Sequence, residues 1–323
     1  MNDLLDRVEL DRYERDKIEP SVRTVRSRDG AEIHTKMYAR PGNGADSVLV
    51  KEEPILLFHG GPGVPDYLED LAALLIRSGI ASSVITYDQR GVGLSKLPIG
   101  GKIDIDTMLE DIDCIHSAYG MNQVHLMGHS WGGVLARLYA RTRSERVASM
   151  VLLSPTAVST ASDWADMEFQ CLKFNIRKGG FLSSVKLGLW SMIMFFPFVS
   201  DYAARNVFWY VMKNYYYHPS SAPDPSPSVL RGVSARALVE TKNAFLRYAK
   251  DLTSLATLDK IPSLCLFGDD DIYGRELVQK FRDCFGGSLK IIPNSSHLAW
   301  VDRPALLIRI LRGFYDGVHK KIT

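Results

Sequence analysis

The chain has 323 residues, 46% hydrophobic and 24% charged, with a formal net charge of +2. That is the balance of an ordinary soluble globular protein, large enough for one core and an inserted subdomain. Lys and Arg are scattered and not blocked, so overall charge gives no sign of nucleic acid or an anionic membrane as partner.

The four cysteines, Cys114, Cys171, Cys265 and Cys284, lie far apart with no C-x-x-C spacing. No zinc site is expected from them, and no metal or cofactor. The N-terminus is acidic and mixed, with neither a basic n-region nor an apolar h-region, so it does not read as a signal peptide. The expectation is a cytoplasmic protein with reduced thiols. The apolar stretch Phe181–Val199 is interrupted by Ser183, Ser184, Lys186 and Ser191 and broken by Pro197. It falls short of the roughly 18 apolar residues that a span needs. It is therefore expected to be buried or pocket-lining, and no integral membrane span is expected.

In chain order, the first twenty residues read as a charged, loosely amphipathic helix ending at Pro20. Two strand-like runs follow, Ser21–Val25 and Glu32–Tyr38, then a turn-rich loop, Pro41–Gly44. A βα rhythm then begins: strand Ile55–Phe58, helix Tyr67–Arg77, strand Ser83–Tyr87, helix Ile105–Tyr119, strand Val124–Met127, helix Val134–Arg141, strand Met150–Leu153. Short strands alternating with helices predict a parallel sheet covered on both faces. After Ser154–Pro155 about a hundred residues are helical and aromatic, with a proline-rich stretch, Pro219–Pro227. Strands return at Ser263–Phe267 and Leu289–Ile292, and a last helix runs from Ala305 to about Tyr315. The expected division is a core of residues 1–155 and 256–323 with a helical cap subdomain at 156–255. The cap's aromatics, among them Trp190, Phe208, Trp209 and Tyr215–Tyr217, pack it onto the core in one reading and line a large lipophilic pocket in the other.

The strongest motif is Gly128-His129-Ser130-Trp131-Gly132-Gly133, placed between a strand and a helix. This G-x-S-x-G turn lifts a serine hydroxyl clear of the sheet, and small neighbours relieve the crowding of a strained backbone. It makes Ser130 the candidate nucleophile and puts the Trp131 amide at a helix N-terminus, where it can donate to an oxyanion. His59-Gly60-Gly61-Pro62-Gly63 follows strand Ile55–Phe58. Its glycines let backbone come close to a substrate, which places Gly60 in contact with it and assigns the second oxyanion donor to the Gly61 amide. No G-K-[ST] follows, so this is not a phosphate cradle. His59 is expected to hold the loop, and His116, mid-helix, to lie at the surface.

A base must take the proton from Ser130. His297 follows the last strand through a short polar loop and comes last in the order Ser…Asp/Glu…His. The orienting acid should follow strand Ser263–Phe267, where Asp269, Asp270 and Asp271 stand in a row. Motif analogy favours Asp271, with its neighbours as solvated turn residues.

Together, His59–Gly63, the segment Asp88-Gln89-Arg90-Gly91-Val92-Gly93-Leu94-Ser95 and Gly128–Gly133 resemble the proline iminopeptidase family of serine peptidases, which includes tricorn-associated aminopeptidases and related amino-acid amidases. The resemblance runs from about Ile55 to Val301. It implies an α/β-hydrolase fold, mostly parallel, with a helical cap after the sixth strand. It implies that Trp131 also walls the substrate pocket and that Asp88–Ser95 is a structural turn. It implies further that the cap carries acids for the substrate's free α-amino group, with Glu240 at a suitable spacing from Asp271. One position departs: some members carry an acid directly after the catalytic aspartate, and here Ile272 stands there.

The leading expectation is a metal-free serine hydrolase cleaving an amide or peptide bond of a small molecule or short peptide through an acyl-enzyme. The alternatives are an esterase or lactonase for a bulky hydrophobic substrate, and a non-enzymatic receptor on the same fold.

Overall fold

A computed structural model of the chain describes residues 18–40, 53–156, 161–194, 196–248 and 260–322. Most of the expected N-terminal helix, the loop Pro41–Gly44 and the expected subdomain border at 255/256 lie outside the described residues.

Among the described residues eight strands form one sheet: β1 (Ser21–Arg26), β2 (Glu32–Ala39), β3 (Ile55–Phe58), β4 (Ser83–Tyr87), β5 (Val124–His129), β6 (Val147–Leu153), β7 (Ser263–Gly268) and β8 (Ser288–Ile292). Their order is β1-β2-β4-β3-β5-β6-β7-β8. The β1–β2 and β2–β4 pairs are antiparallel, and every later pair is parallel. The expected mostly parallel sheet flanked by helices is therefore present. Helices α1 (Glu69–Arg77), α2 (Ile105–Ala118) and α3 (Trp131–Thr142) connect the parallel strands. Between β6 and β7 lie α4 (Ala161–Ile193), α5 (Ser200–Asn214), α6 (Pro227–Arg231) and α7 (Ala235–Tyr248). After β7 come α8 (Gly274–Cys284), α9 (Ala299–Asp302) and α10 (Pro304–Ile322).

The inner strands β3 to β7 are apolar on both faces because both are covered, while the edge strands β1 and β8 are largely open to solvent. Successive strand residues point to opposite faces. Leu56 and Phe58 join a core with α2, α3 and α8, while Ile55 and Leu57 join a second core with α1 and α10. α2 begins at a capping box: the Asp104 carboxylate accepts from the Thr107 amide at 2.9 Å, and the Thr107 hydroxyl accepts from the Asp104 amide at 3.2 Å. The segment Asp88–Ser95 is buried where it turns. Arg90 reaches both oxygens of Asp111 at 2.7 Å and Asp29 at 2.9 Å. A buried guanidinium satisfied on its fork by two carboxylates locks that turn to α2.

Two expectations need correction. His116 is buried and not at the surface, since it faces the inner side of α2. The stretch Phe181–Val199 is neither buried nor pocket-lining as a whole. Phe181, Leu182, Val185, Leu189, Met192, Phe196, Phe198 and Val199 are exposed, because α4 turns its other side to α5.

His125, inside β5, illustrates the cost of a buried titratable group. Its Nδ1 lies 2.7 Å from the Ser149 hydroxyl, and its ring meets Tyr315 edge-on at 5.4 Å. Burial, with a smaller contribution from His319, lowers its pKa to about 4, although the Glu53 carboxylate stands 4.0 Å from Nε2. The unfolded chain takes up this proton near pH 6.5, the folded chain only near 4. Between those values the unfolded state binds more protons, so stability falls as pH drops. About 1 kcal/mol is lost to this one histidine between pH 7 and 5.5. In His125→Asn, denaturant unfolding at the two pH values should show a correspondingly smaller loss than in the wild type. An equal loss would mean that His125 keeps its proton in the folded state.

Candidate active site

The C-terminal edges of the parallel strands bring together segments far apart in sequence. Phe58 pairs with Gly128, His129 with Leu153, and Gly268 with Ile292. The loops after β3, β5, β7 and β8 therefore open side by side, where sheets of this kind place their ligands.

Ser130 sits between β5 and α3 at φ 53°, ψ −121°. That backbone is sparsely populated for a residue with a side chain and persists only when its surroundings enforce it. Three hydrogen bonds do so: its amide donates to Leu153 at 3.1 Å, and its carbonyl accepts from Gly133 at 2.9 Å and Thr156 at 3.0 Å. The flanking glycines are required by contact. A methyl on Gly128 would meet the Gly132 carbonyl at 2.5 Å, and one on Gly132 would run into the carbonyl of Phe58.

His297 is fully buried on the loop after β8. Its Nδ1 lies 3.3 Å and 3.5 Å from the two oxygens of Asp271. The three adjacent aspartates separate cleanly. Asp269 accepts from the Ser295 amide at 3.2 Å, Asp270 pairs with Arg177 and Lys178, and Asp271 faces His297. The rings of Tyr215, His129 and Tyr273 surround His297 at centroid distances of 4.5, 4.6 and 5.4 Å. Its Nε2 is buried without a hydrogen-bond partner among the described residues.

The Ser130 hydroxyl meets a tyrosine that the sequence reading did not single out. Ser130 Oγ lies 3.0 Å from the Tyr273 hydroxyl, which also lies 3.0 Å from Thr156 Oγ1. The Tyr273 amide donates to Asp271 at 3.2 Å, so one residue touches both Ser130 and Asp271. Burial raises the Tyr273 phenol well above its ordinary pKa, which keeps it a neutral hydroxyl. Its position two residues after Asp271 was the only signal in the sequence.

A hydrogen-bonded chain runs behind the site. The Gly60 amide donates to the Tyr67 hydroxyl at 3.1 Å, Tyr67 donates to His129 Nδ1 at 2.7 Å, and His129 Nε2 donates to the His297 carbonyl at 3.0 Å. A carbonyl only accepts, so the proton of His129 is on Nε2 and its Nδ1 must accept. Burial and the neighbouring His297 hold His129 well below the usual imidazole range. The His297 amide continues to Tyr215 at 3.0 Å. His59 is likewise assigned. Its Nε2 accepts from the Gln89 amide at 3.0 Å, and its Nδ1 donates to the Gly60 carbonyl at 2.8 Å.

Gly60 thus spends its amide on Tyr67, and a methyl there would lie 3.0 Å from Ser130 Cβ. Gly61 follows at φ 136°. Trp131 is fully buried. Its indole donates to Gln89 at 3.1 Å and its ring lies edge-on to Phe245 of α7 at 5.6 Å and to Trp164 of α4 at 6.5 Å. Glu240 stands apart. On α7 its carboxylate takes the Arg236 guanidinium at 2.7 Å, one turn away, and no described contact joins it to Ser130, Asp271 or His297. Ile272 is buried.

Comparison with known proteins agrees with this architecture. A family model for the alpha/beta hydrolase fold matches residues 53–174. A proline iminopeptidase from Lactobacillus delbrueckii subsp. lactis is 34% identical over 125 residues, 38% of this chain and 42% of that protein. The chain therefore aligns with less than half the length of the curated relative it matches. The proline iminopeptidase structure from Mycobacterium smegmatis superposes with a TM-score of 0.59 at 18% identity, covering 92% of this chain and 99% of that one. A bacterial membrane phospholipase A superposes with a TM-score of 0.60 at 22% identity, covering 98% and 91%. The protein has the α/β-hydrolase fold, and its sequence is similar to proline iminopeptidases over that part of its length.

The glycine contacts at the elbow are testable without any substrate. Gly132→Ala should cost about 3 kcal/mol or more of stability, or prevent folding, because the methyl meets backbone that cannot rotate away. Gly188→Ala, in open helical surroundings, should be neutral or stabilising by about 0.5–1 kcal/mol. Denaturant midpoints of the two variants check this, and equal midpoints would remove the argument.

Proposed function

We propose that this α/β-hydrolase-fold chain, similar in part to proline iminopeptidases, is a serine hydrolase acting through an acyl-enzyme. The observation that supports the reading is Asp271 at 3.3 Å from His297 Nδ1, with Tyr273 beside both remaining parts: its hydroxyl lies 3.0 Å from Ser130 Oγ and its ring 5.4 Å from that of His297. Ser130 Oγ turns from Tyr273 toward His297 Nε2, gives up its proton there, and attacks a carbonyl carbon. Asp271 holds the ring and stabilises the imidazolium. The amides of Gly61 and Trp131 take the oxyanion, with Gly60 against the substrate. His297 then protonates the leaving group, and water releases the acyl group in a second round. No metal is needed for any step.

The sequence similarity favours an amide or peptide substrate, in the manner of an aminopeptidase or amidase. The helical segment between β6 and β7 serves as the cap in this reading, and Glu240 as the partner of a substrate ammonium. A second reading, an esterase or lactonase for a bulky neutral substrate, draws support from one specific observation. Glu240 already pairs with Arg236, and the residue after Asp271 is a buried isoleucine.

Two sets of measurements test this. Ser130→Ala should abolish turnover with the fold intact, and a fluorophosphonate should label Ser130 and no other serine. Asp271→Asn should lower kcat by about 10⁴ if the serine-protease precedent transfers, while Asp269→Asn and Asp270→Asn remain far more active. A severe Asp270→Asn would move the acid by one residue.

Glu240→Gln separates the two substrate classes. Glu240 is partly exposed beside Arg236, so an ammonium paired with it is screened by solvent and its loss costs about 1 kcal/mol. In this reading the variant should lose kcat/KM several-fold for aminoacyl substrates and keep its rate on a neutral ester of similar size. No loss on either substrate would support the esterase or lactonase reading, and a uniform loss on both would mean that Glu240 supports the cap.

A further inference from the structure

α4 changes direction at Gly180, whose φ of 75° and ψ of 172° are not helical. Its second half has its polarity reversed. Leu182, Val185, Leu189 and Met192 follow one another at spacings of three and four, which is one face of a helix. All four are exposed. Leu187 and Trp190 turn the other way, together with Ser183, Ser184 and Ser191. The serines Ser184 and Ser191 donate to carbonyls one turn back, Gly180 and Leu187, each at 2.8 Å. Trp190 meets Tyr202 of α5 at 5.4 Å. The helix is therefore seated by its serine-bearing side and offers its leucines to the outside.

Exposed apolar residues also stand at either end of the strip in the sequence. Phe181 is 78% exposed, Leu182 76%, Met192 68% and Phe196 63%, and Phe198 is wholly exposed. Monomeric proteins scatter exposed apolar residues and rarely line them up. Charge indicates what covers this strip. From Phe169 to Ser200 there is no Asp or Glu, and four basic residues stand in that span: Lys173, Arg177, Lys178 and Lys186. Arg177 and Lys178 engage Asp270, Lys173 lies over the Phe169 ring ahead of the bend at Gly180, and Lys186 is exposed within the span of the apolar row. A second copy of the chain laid strip to strip would bring Lys186 no acidic partner from this span. An anionic lipid surface meets both features at once. No described helix is long and apolar enough to cross a membrane.

We propose that the strip Leu182–Val185–Leu189–Met192, with Phe196, Phe198 and Lys186, seats the protein in the headgroup plane of an anionic lipid surface. The binding goes beyond the hydrolase reading and requires no turnover.

Co-sedimentation of the full chain with vesicles tests it. The chain should bind phosphatidylcholine vesicles containing about one third phosphatidylglycerol and bind pure phosphatidylcholine much less, with added salt weakening the attachment. The triple variant Leu182→Ser, Leu189→Ser, Met192→Ser should lose binding by about tenfold or more, since each side chain loses its apolar burial. Lys186→Glu should weaken binding to the anionic vesicles several-fold and leave folding unchanged, so it decides the matter if the triple variant does not fold. Absence of wild-type binding, or undiminished binding by the variants, would overturn the proposal. So would a dimer in sedimentation equilibrium that the triple variant abolishes, because a second copy would then cover the strip. Hydrolysis of a soluble substrate, measured separately, is indifferent to each of these outcomes.

Discussion

The structure depends on one turn of backbone that would not hold by itself. Ser130 occupies a left-handed conformation between β5 and α3. The strain is of the order of 1–3 kcal/mol, and it is met by the hydrogen bonds to Leu153, Gly133 and Thr156. Those partners lie on the neighbouring strand, on the following helix and on the segment leading toward α4. The turn holds only when the sheet, the helix and the onset of the helical segment are all in place. Gly132 approaches the carbonyl of Phe58 so closely that no other residue fits there. The same approach sets the glycine loop after β3 against Ser130.

The buried polar groups around this turn form chains and not isolated pairs. Gly60, Tyr67, His129 and His297 are joined donor to acceptor. Each link sets the direction of the next, because a phenol that accepts from an amide has its own proton free to give to an imidazole. Burial keeps His129 neutral, and a neutral ring is what the chain requires. Tyr273 plays a different part: its hydroxyl holds the Ser130 hydroxyl and Thr156 Oγ1 while its ring lies against that of His297.

Much of this architecture was legible beforehand. The strands β3 and β4 fall where their runs of apolar and β-branched residues stand, and Gly128–Gly133 marks the elbow by its glycines alone. Motif analogy singled out Asp271, but the partners of Asp269 and Asp270 were not legible, because identical residues in a row differ only in what they face. Tyr273 and Tyr67 were missed for a similar reason. A tyrosine in a chain with 14 of them carries no mark of function until its hydroxyl is placed. The surface strip misled because apolar composition ordinarily means burial. The period within Phe181–Val199 already separates a serine-bearing side from a leucine side, but sequence does not say which side faces in. His116 misled in the opposite sense, since a polar residue within a helix was given to solvent and lies inside.

The loop that carries His297 is fastened to the helical segment as well as to the sheet. The His297 amide bonds the carbonyl of Tyr215, and Asp302 takes both the Tyr217 amide and the Ser296 amide, at 3.0 and 2.8 Å. Tyr215 and Tyr217 lie just beyond the end of α5. A helical segment tied to this loop at two points cannot swing away from the sheet without pulling on the imidazole it covers. Shelter and alignment are in that sense mechanically one property: the ring that faces Asp271 is held square by the same strands of backbone that shut it in.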